Sequence, residues 1–220
     1  MFTSIFPKRT LKGIALAAAA TAALAMPALA QDAPNPTGKF QVRVGVSGIL
    51  PDESANISVI GGDVDISDEY VPTVQLEYFF TDNVSAELLC CMARHDVKAV
   101  GTALGTVNLG KVSHFPPTVT LKYHWTNMGK FRPYVGAGVN YTTFFDVDEG
   151  DVTSIKYDDS FGGALQAGMD YQLNDTWSVN VDVRKIWIQS DVTIMAGATR
   201  IDADVDINPL VVTAGLGYRF

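Results

Sequence analysis

Three histidines (His95, His114, His124), two adjacent cysteines and several runs of carboxylates are the residues here whose types could do chemistry. Nucleophilic catalysis needs a hydroxyl or thiol within reach of a base. Ser113 and His114 are neighbours, and on an extended chain neighbours point to opposite faces, so they form no such pair. The same geometry keeps Cys90 and Cys91 from bonding to each other. Asp146, Asp148, Glu149 and Asp151 resemble a calcium loop, but Gly150 comes one place early and no closing acidic residue follows. The run reads as a solvated loop. These residues predict no metal site, no cofactor and no enzyme; a lipid-modifying activity in particular lacks its nucleophile and base.

The elements that carry the remaining polar residues follow a period of two. Eight segments alternate apolar with small or polar residues, and no stretch has a helical period. They are Phe40 to Val46, Thr73 to Phe80, Val84 to about Ala93, Thr118 to Trp125, Pro133 to about Phe144, Gly162 to Tyr171, Trp177 to about Ile188, and Leu210 to Phe220. Pro72, Pro116, Pro117, Pro133 and Pro209 all fall at strand starts, where a missing backbone donor does least harm. Three connections are tight, around Asp82, Met128 and Asp175. The other four, about Ser47 to Tyr70, Arg94 to His114, Phe145 to Ser160 and Gln189 to Asn208, are long and read as loops. Within the last, Asp202, Asp204 and Asp206 alternate with Ile201, Ala203 and Val205, which predicts a strand continued above a membrane that could hold divalent cations near lipid head groups.

Strict alternation of short and long connections, with an even strand count, predicts an all-β fold: an eight-stranded antiparallel transmembrane up-and-down β-barrel. Tyr78, Phe80, Trp125, Phe131, Tyr171, Trp177, Tyr218 and Phe220 lie beside short turns or termini, as a periplasmic aromatic girdle requires. Met1 to Ala30 has a basic start, an Ala/Leu-rich run and an Ala-x-Ala end, the pattern of a secretory signal peptide cleaved after Ala30, leaving residues 31–220 as the barrel. Without Lys8, Arg9 and Lys12 the 16 basic residues become 13 against 24 acidic ones, a formal charge of −11 that excludes a nucleic-acid partner. After Gln31 no apolar run is long enough for a spanning helix.

Parity then assigns the lumen. Its lower half collects Arg43, Glu77, Glu87, Lys122, Asp170, Asp182, Arg184 and Arg219, with His124, Arg132 and Gln166 among them. Eight strands leave room for side chains or one small ligand, so these charges are expected to pair into a plug. The upper half collects Ile49, Leu89, Cys91, Ala164, Ile186 and Val211, read as an apolar pocket. The plainer reading fills the whole interior with packed side chains. A hydrophobic ligand in the pocket could not pass the plug without desolvating it, so its exit would be sideways into the membrane.

The segments also resemble the OmpW family of small outer-membrane proteins. SGILPDES (47–54), TDNVSAELL (81–89), HFPPTVTLKYHW (114–125), KFRPYVGAGVNYTTFF (130–145), GGALQAGMDYQLN (162–174), NVDVRKI (180–186) and the terminal GLGYRF carry the likeness. The resemblance implies a closed, largely apolar interior that passes small hydrophobic molecules by lateral release. It also implies that a leucine in the third strand and a bulky aromatic in the seventh narrow that interior; Leu89 matches the first, but Arg184 stands at the second. The expected partners are outer-membrane lipid and lipopolysaccharide, small hydrophobic molecules, and the barrel-assembly machinery, which would read Leu216, Tyr218 and Phe220 on the last strand. The competing reading is a structural or surface-interaction protein whose acidic loops bind a host factor, a phage or a cation.

Overall fold

The computed structural model describes residues 36–220, so the expected signal peptide and its cleavage site lie outside the described residues. In chain order the strands are β1 (Phe40–Leu50), β2 (Ser54–Ile57), β3 (Asp63–Ile66), β4 (Glu69–Phe79), β5 (Val84–Cys90), β6 (Ala93–Thr102), β7 (Gly105–Phe115) and β8 (Thr118–His124). They continue with β9 (Phe131–Asp148), β10 (Ser154–Tyr157), β11 (Ser160–Gln172), β12 (Trp177–Ile186), β13 (Gln189–Ala196), β14 (Thr199–Asp206) and β15 (Leu210–Arg219).

Eight of these close a cylinder in the order β1, β4, β5, β8, β9, β11, β12, β15 and back to β1, every pair antiparallel. Closure pairs each strand of this cylinder on both sides along most of its length, where lipid could not hydrogen-bond a free edge. The seam is complete at the base, where Phe40 N donates to Phe220 O at 3.0 Å and Phe220 N to Phe40 O at 2.8 Å. Outside, Val44, Leu76, Leu121, Val135, Val181 and Leu216 are exposed, while their sequence neighbours are buried or half-buried. Ring pairs such as Phe40 with Tyr78 at 5.0 Å, Trp177 with Tyr218 at 4.9 Å and Phe131 with Tyr171 at 5.0 Å ring the short-turn end. Tyr70, Tyr141, Phe161 and Trp187 stand exposed at the other. The short turns are tied locally; Asn174 Oδ1 accepts from the backbone of Thr176 and Trp177, both at 2.9 Å, an Asx turn that starts β12.

The four long connections are mostly strand, which corrects the loop reading. β7, β6 and β3 continue the barrel sheet upward from β9, and β10, β13, β14 and β2 form a second sheet. The Asp202 to Asp206 stretch lies in β14, paired with β13 and β2. These strands pair because their inner positions are apolar: Val97 and Ala99 on β6, Val192 and Ile194 on β13, Ile201, Ala203 and Val205 on β14 join one buried cluster. The outer positions are polar, so this tower is built for water outside.

Candidate functional site: a charged plug, an apolar layer and a cavity

The inner face of the barrel holds three tiers. In the lowest, the Arg43 guanidinium from β1 grips Asp170 with Nε at 3.1 Å and Nη2 at 2.7 Å, and its Nη1 donates to Glu77 and, at 2.9 Å, to Glu87. Lys122 from β8 donates to Glu87 at 2.7 Å and to Glu77 at 3.3 Å. From β12, Arg184 Nη2 reaches Glu87 at 2.5 Å and lies 3.8 Å from Asp182. Asp182 takes its hydrogen bonds from neutral donors, the Tyr134 hydroxyl at 2.9 Å and Gln166 at 2.7 Å. All of these residues are almost wholly buried. Charges so far from water persist only where partners replace the lost hydration, and every carboxylate here has at least two.

Tyr134 completes the plug, although parity alone gave it no role. Its ring lies under the Lys122 ammonium at 3.7 Å, and its oxygen accepts from Asn180 at 3.0 Å. The signal was cross-strand: Gly168 on β11 faces Tyr134 on β9, and a Cβ there would sit 2.5 Å from the tyrosine oxygen. Only glycine leaves room for the ring. Arg219, expected in the plug, is not part of it. Its Nε donates to Gly38 O at 2.6 Å and its guanidinium stacks 3.6 Å from the Phe79 ring centroid, because the register of β15 puts it at the rim, a level below Arg43.

The middle tier holds the residues expected to form a pocket. Leu89, Cys91, Ala164, Ile186 and Val211 do not line the cavity above them; with Ile49, Val71, Ala93 and Ile188 they form one buried, packed layer. Their side chains fill the lumen because eight strands leave little more than their own volume. Beneath that layer, Arg184 Nε and Nη1 and the Gln75 amide have no hydrogen-bond partner.

The cavity lies one tier higher, inside the tower. Of the six expected pocket residues only Ile49 lines it, with Ile57, Val64, Ile66, Val97, Leu109, Val112, Phe144, Ile188, Val192, Ile194, Val205 and Ile207. Its polar lining includes His95, His114, Thr142, Ser190 and Tyr157, and among the described residues no charged side chain lines it. Its free volume is about 40 Å³. That is less than the roughly 150 Å³ of a dry cavity known to hold benzene, so a ligand must part the walls.

The ladder beside β4 is interrupted above β5. β4 and β5 pair up to Val74 and Cys90, and the next backbone contact on that side is Ser67 N to Asp96 O at 3.1 Å. Between them Tyr70 to Thr73, including Pro72, face Cys91 to Arg94 without a ladder. Elsewhere around the same height the pairing holds, for example Ile49 with Val211, Ala164 with Ile186, and Thr118 with Asn140.

The profile of the OmpW family matches residues 36–220, all of the described residues. This chain belongs to the OmpW family. Among OmpW-like relatives, it is 35% identical to outer membrane protein W of Vibrio cholerae, over 97% of this chain and all of the relative. It is 31% identical to the dibenzothiophene metabolism operon protein PahQ of Pseudomonas aeruginosa, over 90% of this chain and 93% of PahQ. The crystal structure of OprG from Pseudomonas aeruginosa superposes with a TM-score of 0.76 at 31% identity, covering 85% of this chain and 98% of OprG. The OmpW assignment places the protein in the bacterial outer membrane as a non-enzymatic barrel.

Proposed function

We propose that this OmpW-family barrel passes small hydrophobic molecules from the outside into the outer membrane, taking them up in the tower cavity and releasing them sideways between β4 and β6. The observation that carries the reading is the vertical order: an uncharged, apolar cavity above a packed apolar layer above a paired ionic plug. A hydrocarbon gains by entering the first, is tolerated beside the second, and would have to strip the third of its partners to go further. The unpaired stretch beside Val71 and Ala93 opens from the apolar layer toward lipid, the shorter path. Descent from a common ancestor with PahQ, whose name ties it to an operon for metabolism of a tricyclic aromatic sulfide, supports a hydrophobic cargo.

The test is accumulation of labelled decane and naphthalene by cells lacking the protein, complemented with the wild-type chain or with Ile194→Asp. We expect faster entry with wild type and loss with the variant at equal outer-membrane levels. Equal entry in all three strains would sink the reading.

A surface-interaction role has one observation of its own. Asp191 on β13 and Asp204 on β14 are directly paired, both exposed. Like charges directly opposite destabilise a sheet, and a cation or a basic partner would relieve them. Binding of a basic partner to whole cells, lost in Asp204→Asn, would favour that role.

A further inference from the structure

Four of the side chains lining the cavity are aromatic rings, and they form one continuous file. His95 on β6 stacks on His114 on β7 with centroids 5.0 Å apart and planes 14° from parallel. His114 lies 6.2 Å from Phe144 on β9, and Phe144 stacks on Tyr157 of β10 at 5.5 Å and 28°. The rest of the lining is largely aliphatic.

Among the described residues, each imidazole keeps a nitrogen that no protein group engages. His95 Nδ1 lies 2.6 Å from the Ser67 carbonyl oxygen. A carbonyl only accepts, so Nδ1 carries the proton. A neutral ring protonated there has a bare lone pair on Nε2, which can only accept. Burial keeps both rings neutral, lowering His95 and taking His114 down to about 3. The His114 nitrogens have no hydrogen-bond partner among the described residues. An acceptor with no protein partner on the lining of an apolar cavity gains a net hydrogen bond from a ligand that supplies a hydrogen.

Resting on the reading of the cavity as the ligand site, we propose that it selects hydrophobic aromatic molecules bearing a hydroxyl, laid flat along the ring file with the O–H donated to His95 Nε2. A flat molecule also parts the walls of so narrow a cavity least. An aliphatic alcohol would satisfy the lone pair without stacking, and an unsubstituted aromatic would stack without the hydrogen bond.

The full chain in lipid nanodiscs, with empty nanodiscs subtracted, can be titrated with 2-naphthol, 2-methoxynaphthalene, naphthalene, decanol and decane. The ether has the oxygen but no hydrogen to give. We expect 2-naphthol to bind about tenfold tighter than 2-methoxynaphthalene, the effect of one net hydrogen bond. Decanol should bind less tightly than 2-naphthol. In His95→Leu the naphthol and its ether should bind alike. Equal affinities in wild type, a naphthol preference that survives His95→Leu, or decanol binding as tightly as 2-naphthol would overturn the proposal. The wild-type comparison decides if that variant does not fold. Hydrocarbon binding without the naphthol preference removes this inference alone, whereas no binding of any probe, decane included, removes the cavity as a ligand site and both readings with it.

Discussion

The run from Trp177 to Ile194 passes from barrel to tower without losing its alternation, and its two ends are opposites. Low in the barrel, Asn180, Asp182 and Arg184 point inward while Val179, Val181 and Val183 face lipid. In the tower, Val192 and Ile194 point inward while Asp191 and Thr193 face outward. Ile186 and Ile188 are buried at the crossing, in the packed layer. One parity therefore serves two solvents: polar inside where the outside is lipid, apolar inside where the outside is water. The ionic plug and the apolar cavity are the two answers to that change of surroundings.

The division can be broken most severely at Glu87, which holds Arg43, Lys122 and Arg184 together. Glu87→Ala should cost about 3–5 kcal/mol in reversible unfolding, because three buried cations lose a shared partner. Hydrophobic-probe binding in the folded fraction should survive; its loss would show that plug and cavity are one unit. Next, Leu88→Asp puts a carboxylate on the lipid face one residue from the packed layer, at about 2 kcal/mol or less. Its folded, heat-modifiable yield should fall, and a silent result would reverse the assigned face of β5. Arg184→Ala should make a smaller change in stability, since only Nη2 is strongly engaged, but should raise small-ion conductance in planar bilayers as Glu87 and Asp182 recruit water. An unchanged conductance would mean that the apolar layer, not the plug, is the seal.

The smallest effect concerns the tower alone. His114 is lowered from 6.5 to about 3 by burial, so the unfolded tower binds more protons between those values. Stability conferred by the neutral ring is full above pH 6.5 and is lost as pH falls toward 3. Amide exchange in β6 and β7 should therefore speed up between pH 7 and 4 in wild type and less in His114→Phe, while β12 and β15 stay protected. Equal acceleration in both chains would assign the sensitivity elsewhere.

The barrel was legible in the sequence because period-two alternation, short turns and aromatics at turn ends all report the same cylinder. The tower was not, although His95, Val97 and Ala99 alternate with Arg94, Asp96 and Lys98 just as regularly. A search for apolar residues facing lipid ends where outward residues turn polar, so β6, β7 and β13 passed for loops, and only β14 showed through. The displaced pocket follows from that: with no tower, the highest inward residues available were Leu89, Ile186 and Val211, which the structure makes a layer. Pairing across the lumen was out of reach for another reason. Arg43 meets Asp170 from 127 positions away, a distance set by barrel curvature rather than by any local pattern. Tyr134 needed a cross-strand fact, the glycine opposite it.

β9 is 18 residues long, about 60 Å at the usual rise, and tilted as barrel strands are it climbs roughly 45 Å. The apolar band of such barrels is only about 25 Å tall, so some 20 Å of continuous strand projects beyond it. A bilayer whose outer leaflet is coated with sugar is easy for oily molecules to dissolve in and hard for them to reach. Under the uptake role proposed above, a rigid chimney of that height would set the point of capture away from the bilayer surface, and the rate of entry would then depend on collisions with its mouth rather than on diffusion through the carbohydrate.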